Sequence, residues 1–399
     1  WNKSNGNRQY YWQGGQTRHN IRFKIKMERP RINIGVLTSS RADYGIYLPL
    51  LKKMRDDKAI EFSLIVFGTH LKKDFGYTVQ QIEMDGFSID KRIDCLKYGD
   101  TPEDIAQNYA YTGSMFSKYW GKTSFDMVLC LGDRFEMAAA VNAGIPHGIS
   151  FAHIHSGELS QGAIDNIYRD QISLASELHF VSINTLQGRI EKLTGKMKTA
   201  FYCGAIGLEN IQSMPLLSIE EFKAKWNIDL SIPTILMTVH PETIQPERNK
   251  NNIKELEKVL RELLDETQIL ATMPNADTLG SLYRKMFDDM KGIDNLKIVE
   301  NLGTQSYFSS MEYCALLVGN TSSGIIEAAS FKKYALNLGD RQKGRISGKN
   351  VVHIPFKHQI ILEETKKHIG RTYSGENIYE CKNGTQQIIR RIKNKINGI

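Results

Sequence analysis

DMVLCLGDRFEMAAAVNAG, Asp126 to Gly144, joins a near-continuous apolar run directly to a helical pattern through one Gly-Asp-Arg turn. A strand with no polar alternation is covered on both faces. A strand followed at once by a helix is the unit of a parallel sheet. The same unit recurs outward from this stretch. INIGVLTSS (32–40) and IEFSLIVFG (60–68) precede it, and GISFAHIHS, ELHFVSI and TAFYCGA follow it, with helical stretches such as IYLPLLKKMRDD between. A polar, helix-like connection over 206–231 then leads to a second series: PTILMTVHPE, QILATMPNAD, LKIVENL, CALLVGNTSSG, YALNLGD and NVVHIPF. The expected fold is α/β, two doubly wound Rossmann-like domains in tandem, with ligands held in a cleft beyond the carboxyl ends of the strands. The expected boundaries are a tail or upstream extension over 1–29, domains over 30–208 and 209–376, and a closing helix over 377–399.

Composition narrows the function classes. The chain has 399 residues, 41% apolar and 24% charged, as soluble globular proteins do. No apolar run is long enough to span a bilayer. Six of the eight net positive charges fall in residues 1–26 (Lys3, Arg8, Arg18, Arg22, Lys24, Lys26), which contain no Asp or Glu. The remaining +2 gives little support to nucleic-acid binding. Five widely spaced cysteines (Cys95, Cys130, Cys203, Cys314, Cys381), with no CxxC, fit free thiols in a reducing cytoplasm.

The candidate chemistry lies at predicted strand ends. VGNTSSGIIEAASF (318–331) places Thr321, Ser322 and Ser323 between a strand and a helix, where backbone N–H groups and hydroxyls can hold a diphosphate. Glu327, about one turn on, can accept from a ribose diol. The plain alternative is an ordinary Ser/Thr N-cap. Arg341 and Arg345 in GDRQKGRISG suit phosphate or base recognition, or else a solvated basic loop. Arg41 sits in the TSSRADYG turn, which is not GxGxxG, so a dinucleotide site is not indicated. Asp133 and Arg134, then His155, Glu158 and Asp165, then His240, all occupy expected strand ends. Imidazole and carboxylate titrate in the range acid/base catalysis uses. A metal reading of His153 and His155 lacks further ligands, and His153 is expected to pack inside.

TSSRADYGIYLPLL, FGTHLKKDFGYT, LCLGDRFEMAAA, AHIHSGELSQGAIDN, TVHPET, PNAD, GNTSSGIIEAA and GDRQKGR occur in an order that resembles the hydrolysing UDP-N-acetylglucosamine 2-epimerases, from about Arg31 to about Phe356. The resemblance implies a GT-B-like arrangement and the reaction of UDP-N-acetylglucosamine with water to give N-acetylmannosamine and UDP, through elimination to 2-acetamidoglucal and hydration, in sialic acid biosynthesis. It implies no cofactor and no metal. Asp133, His155, Asp165 and His240 take the catalytic positions. Arg41, Arg134, Glu158, Thr321, Ser322, Ser323, Glu327, Arg341 and Arg345 take the substrate-binding ones. The expected partners are the nucleotide sugar and further copies of the chain, with neither nucleic acid nor membrane. The motifs leave open a UDP- or GDP-linked 2,4-diacetamido-2,4,6-trideoxyhexose, as in legionaminic acid synthesis. A GT-B glycosyltransferase and a non-catalytic nucleotide-sugar sensor are the remaining alternatives. Two departures stand out: Ser156-Gly157-Glu158 where relatives read GGE, and Tyr168-Arg169-Asp170 where they often read IRH, which would put Asp170 near the sugar.

Overall fold

Strands whose residues are all buried, such as Met127–Leu131 and Thr234–Thr238, can satisfy their backbone only inside a sheet and their side chains only under helices on both faces. The chain, seen here in a computed structural model that describes residues 31–274 and 277–399, builds two such sheets. The expectation for residues 1–29 lies outside the described residues. The first sheet contains β1 (Ile32–Thr38), β2 (Ile60–Phe67), β3 (Lys91–Ile93), β4 (Met127–Leu131), β5 (Phe151–Ile154), β6 (Ser176–Val181) and β7 (Ala200–Tyr202), in the order β3-β2-β1-β4-β5-β6-β7. The second contains β8 (Thr234–Thr238), β9 (Gln268–Thr272), β10 (Leu296–Val299), β11 (Leu316–Gly319), β12 (Ala335–Leu338) and β13 (Val351–Ile354), ordered β10-β9-β8-β11-β12-β13. All pairings within both sheets are parallel. The architecture is therefore α/β and doubly wound.

In each sheet the strand order reverses once, between β1 and β4 and between β8 and β11. At such a point the crossover helices go to opposite faces, and a crevice opens beyond the strand ends. The site described below is built from these four ends and the neighbouring ends of β5, β9, β10 and β12.

The core of the first sheet gathers Ile34, Leu50, Leu64 and Leu129, and it also takes Ile388, Ile389 and Ile392 from the last helix, Gly384–Ile396. The chain's end thus returns to the first sheet. Lys53 fixes that return by donating to Glu209 Oε2 (2.9 Å) and to Thr385 Oγ1 (2.6 Å). The second sheet has its own core around Ile235, Met237, Leu256, Phe287 and Leu336. Among the described residues no helix is long and apolar enough to cross a membrane.

Candidate active site

The β1 turn is a helix start. Ser40 caps Arg41–Asp56 in a capping box with Asp43, whose Oδ2 accepts from Ser39 N (2.9 Å), Ser39 Oγ (2.7 Å) and Ser40 N (3.2 Å). Arg41 then reaches across to the second sheet, donating to Glu300 O (2.6 Å) and Met273 O (3.1 Å) beyond β10 and β9. Its guanidinium joins the two halves at the wall of the cleft.

Gly319 ends β11 at φ 152°, and a Cβ there would lie 2.0 Å from Thr238 O. Only glycine lets the ends of β8 and β11 run this close. Asn320 follows and grips His240 twice, accepting from its backbone N (2.7 Å) and donating to its carbonyl (2.8 Å). The helix expected after Thr321 is a single turn, Ser323–Ile326. Ser322 holds the N-cap position but makes no side-chain capping bond, so the ordinary N-cap explanation for this serine does not apply. Glu327 closes the turn. Burial lifts its carboxyl to about 7, and Oε2 has no hydrogen-bond partner among the described residues.

The first sheet supplies a denser polar cluster. Asp133, after β4, forms an ion pair with Arg169. Burial alone would raise this carboxyl, but Arg169, Arg345, Arg341 and Arg134 together hold it below the usual range. Asp165 begins the helix Asp165–Ala175. Burial, then the charges of Asp133 and Asp277, push it up to about 7. His155 sits at φ 61°, unusual for a residue with a side chain. Its Nδ1 lies 2.7 Å from Glu158 Oε1, while Nε2 is buried without a partner among the described residues. Burial and the nearby Arg345 and Arg169 lower its imidazole to about 4, so it is neutral near pH 7. His240 is also lowered to about 4, by burial and Arg341, although Asp277 Oδ2 stands 3.3 Å from its Nδ1.

The open space follows this division. A cavity of about 680 Å³ runs along Arg41, Tyr44, His70, Trp226, Tyr307 and Phe308. A smaller one of about 180 Å³ is lined by Asp133, Arg134, His155, Glu158, Asp165 and Arg341. His240, Thr321, Ser322, Ser323 and Glu327 border both. With Arg345 in the smaller space and Arg41 in the larger, the thirteen residues expected at catalytic or substrate-binding positions all line this cleft.

Two residues that had no assigned role prove central. Asp277 stands 3.5 Å from both Arg134 and Arg341, besides its contact with His240. Burial would raise it, but His240, Arg341 and Arg134 hold it well below the carboxylate range. Arg169 pairs with Asp133 and donates to Glu158 O (2.8 Å). Both lie in stretches already conspicuous in the sequence, PNAD and Tyr168-Arg169-Asp170, but nothing local marked their partners. Asp170 needs a correction: it does not line the cleft but pairs with Arg189 through both oxygens (3.0 and 2.9 Å). One position along a helix from Arg169 turns the side chain by about 100°, which carries it off the site. His153 is fully buried, with Nδ1 on Ser173 Oγ (3.0 Å) and Nε2 on Gly132 O (2.8 Å).

Residues 52–393 match the family model described as UDP-N-acetylglucosamine 2-epimerase. The chain belongs to the hydrolysing UDP-N-acetylglucosamine 2-epimerase family. It is similar to the GDP/UDP-N,N'-diacetylbacillosamine 2-epimerase (hydrolysing) of Campylobacter jejuni, at 32% identity over 80% of this chain and 83% of that one. It is similar, too, to the UDP-N,N'-diacetylbacillosamine 2-epimerase (hydrolysing) of Legionella pneumophila, at 30% identity over 84% and 88%. Among solved structures it resembles the UDP-GlcNAc 2-epimerase of Neisseria meningitidis bound to UDP-GlcNAc, with a TM-score of 0.76 at 16% identity, covering 91% of this chain and 100% of that one. At that identity the likeness concerns the fold, which this family member shares in its GT-B-like form.

Proposed function

We propose that this epimerase takes a UDP-linked 2-acetamido-2-deoxyhexose, removes the C2 proton, expels UDP to leave a glycal, and adds water with inversion at C2. The nucleotide occupies the larger cavity and the sugar the smaller one. The diphosphate lies at the border, against Thr321, Ser322 and Ser323, with Glu327 beside the ribose. Arg341 and His240 face the departing phosphate.

The observation that carries this reading is that Asp133, His155, Asp165 and His240 line one small cavity beside Thr321, Ser322 and Glu327, with two neighbouring carboxyls in contrasting surroundings. Asp133 is held ionised by arginines, while Asp165 is raised to about 7. Environments that push two carboxyls apart in this way divide acid/base labour. Asp165 can take and return a proton near neutrality, and Asp133 supplies fixed negative charge. His155 and His240, both neutral, offer proton transfer from other sides of the ring.

On the sugar, the first reading is UDP-N-acetylglucosamine giving N-acetylmannosamine for sialic acid biosynthesis. The 32% and 30% identities to diacetylbacillosamine enzymes favour a second, a UDP- or GDP-linked 2,4-diacetamido-2,4,6-trideoxyhexose. We further propose a homo-oligomeric, cytoplasmic enzyme. The test is proton NMR in deuterated water, without acceptor, on each nucleotide sugar in turn. The expected result is free nucleoside diphosphate and a manno-configured sugar carrying deuterium at C2. Release of a gluco-configured sugar with its C2 proton retained would leave only hydrolysis. No turnover of any of these sugars would favour a glycosyltransferase or a sensor.

A further inference from the structure

We propose that Glu158 is a positioning residue that holds His155 as the Nδ1–H tautomer, presenting Nε2 to the sugar as a proton acceptor, and that Arg345 clamps Glu158 in that role from the opposite half. This deepens the functional reading above and rests on it for the identity of the sugar.

The argument starts from valence. A carboxylate can only accept, so a neutral imidazole whose Nδ1 lies 2.7 Å from Glu158 Oε1 carries its hydrogen on Nδ1. Nε2 then keeps its lone pair; this nitrogen is buried without a partner among the described residues, and His155 lines the smaller cavity. Glu158 has little freedom to turn away. Oε1 also accepts from Ser182 Oγ (2.7 Å), Oε2 meets the Arg345 guanidinium, and the side chain is 2% exposed. Ser182 follows β6 in the first half, whereas Arg345 belongs to the loop after β12 in the second. The Glu158 carboxylate is therefore held from both halves of the chain at once. The proton leaving C2 enters the Nε2 lone pair, giving an imidazolium beside Glu158, while the C–H electron pair becomes the C1–C2 double bond and the C1–O bond to UDP breaks. A proton given back to C2 as water adds at C1 restores the neutral ring. In serine-protease triads, replacing the orienting carboxylate by an amide presents the wrong tautomer and costs about 10⁴-fold in kcat.

The test is two-bond ¹H–¹⁵N NMR of the full chain labelled at histidine, with the His155 signal assigned by its loss in His155→Gln. The unsubstituted protein at pH 7.5 should show Nδ1 protonated and Nε2 bare. An Nε2–H tautomer, or a charged ring, overturns the proposal without any Glu158 variant having to fold. Glu158→Gln can donate to Nδ1, so the signal should move to Nε2–H and kcat should fall by about 10²–10⁴-fold, with UDP affinity nearly unchanged. Glu158→Asp should keep the original tautomer and part of the turnover. Arg345→Met should give a His155 signal averaged between tautomers, and an unaltered signal removes the clamp from the proposal. An unmoved tautomer with full turnover in Glu158→Gln overturns the whole. The expected tautomers in a chain that turns over none of the nucleotide sugars would leave this inference standing while the functional reading fails.

Discussion

The ends of β5 and β11 look alike in sequence, AHIHSGE against GNTSSG, yet they hold their polar groups in opposite ways. Beyond β5 nearly every polar atom has a protein partner. His153 bonds to Ser173 and Gly132, Ser156 to Ser173 and His179, and Glu158 to His155 and Ser182. Among the described residues His155 Nε2 and His179 Nε2 are buried without a hydrogen-bond partner, and of the two only His155 lines the cleft. Beyond β11 the serine at the cap position caps nothing, and Glu327 keeps an oxygen free of partners among the described residues. A network whose members satisfy one another holds a reacting group in place before substrate arrives. A loop with open donors and acceptors waits for a ligand to complete it. On the function proposed above, the first region would serve chemistry and the second binding, and substitutions should separate the two.

The largest effects belong to the chemical region. Asp165→Asn and Asp133→Asn should each lower kcat by about 10²–10⁴-fold while leaving UDP affinity almost intact, as turnover assays and calorimetric titration would show. pH sharpens the test. Burial and the charges of Asp133 and Asp277 raise Asp165 to about 7, and only the ionised form can accept a proton. Turnover should therefore rise as pH climbs through about 7. Stability runs the other way. A carboxyl raised above its unfolded value of about 3.9 favours the folded state below that value, and the benefit is lost as pH rises through about 7. Melting curves should accordingly show a smaller loss of stability between pH 5 and 8 in Asp165→Asn than in the unsubstituted chain. A pH–rate climb that survives in residual Asp165→Asn activity would assign the titration to another group, with Glu327 the next candidate.

Effects of intermediate size belong to the binding region. On the proposed function, Ser322→Ala and Glu327→Gln would each remove a bond to a charged or diol group of the nucleotide, worth about 1.5–3 kcal/mol. UDP should bind roughly 10–100-fold more weakly, with kcat at saturation reduced far less. Equal losses of kcat in both variants and in Asp165→Asn would erase the division between the two regions.

What the sequence made legible follows the same line. Strand ends could be read because a buried parallel strand is an apolar run that stops abruptly, as DMVLCLGD does before Arg134. Side chains that follow such runs were bound to face the crevice. Partnerships across the cleft could not be read. Asp277 meets Arg134 over 143 residues of chain, and Arg169 meets Asp133 over 36. No local period encodes such contacts. β3 (Lys91–Ile93) escaped notice because an edge strand of three residues, two of them exposed and basic, has no apolar pattern to show. The single-turn helix after Ser322 was invisible for a related reason. Its four residues, Ser323–Ile326, run into IIEAASF, a stretch that a full helix would share, whereas the chain passes into a 3₁₀ segment over Ala328–Phe331.

The smallest effect is expected where the sequence hinted at a large one. By the resemblance drawn from the sequence, Asp170 stands where a histidine is expected, and so it is expected near the sugar. In the folded chain it pairs with Arg189, both side chains are a quarter exposed, and neither lines the cleft. A partly exposed ion pair contributes about 0–1 kcal/mol. Arg169, the residue beside Asp170, pairs instead with Asp133. Asp170→His should therefore leave the ratio of turnover on UDP-N-acetylglucosamine to turnover on the diacetamido sugar unchanged, and should lower the melting temperature only slightly. Arg189→Ala should do the same, because the pair acts as a strap between the helices Asp165–Ala175 and Leu186–Thr194 rather than as part of the site. A changed substrate ratio in Asp170→His with an unchanged ratio in Arg189→Ala would mean that position 170 acts on the sugar directly. The chemical region would then extend one residue further along its helix than Arg169.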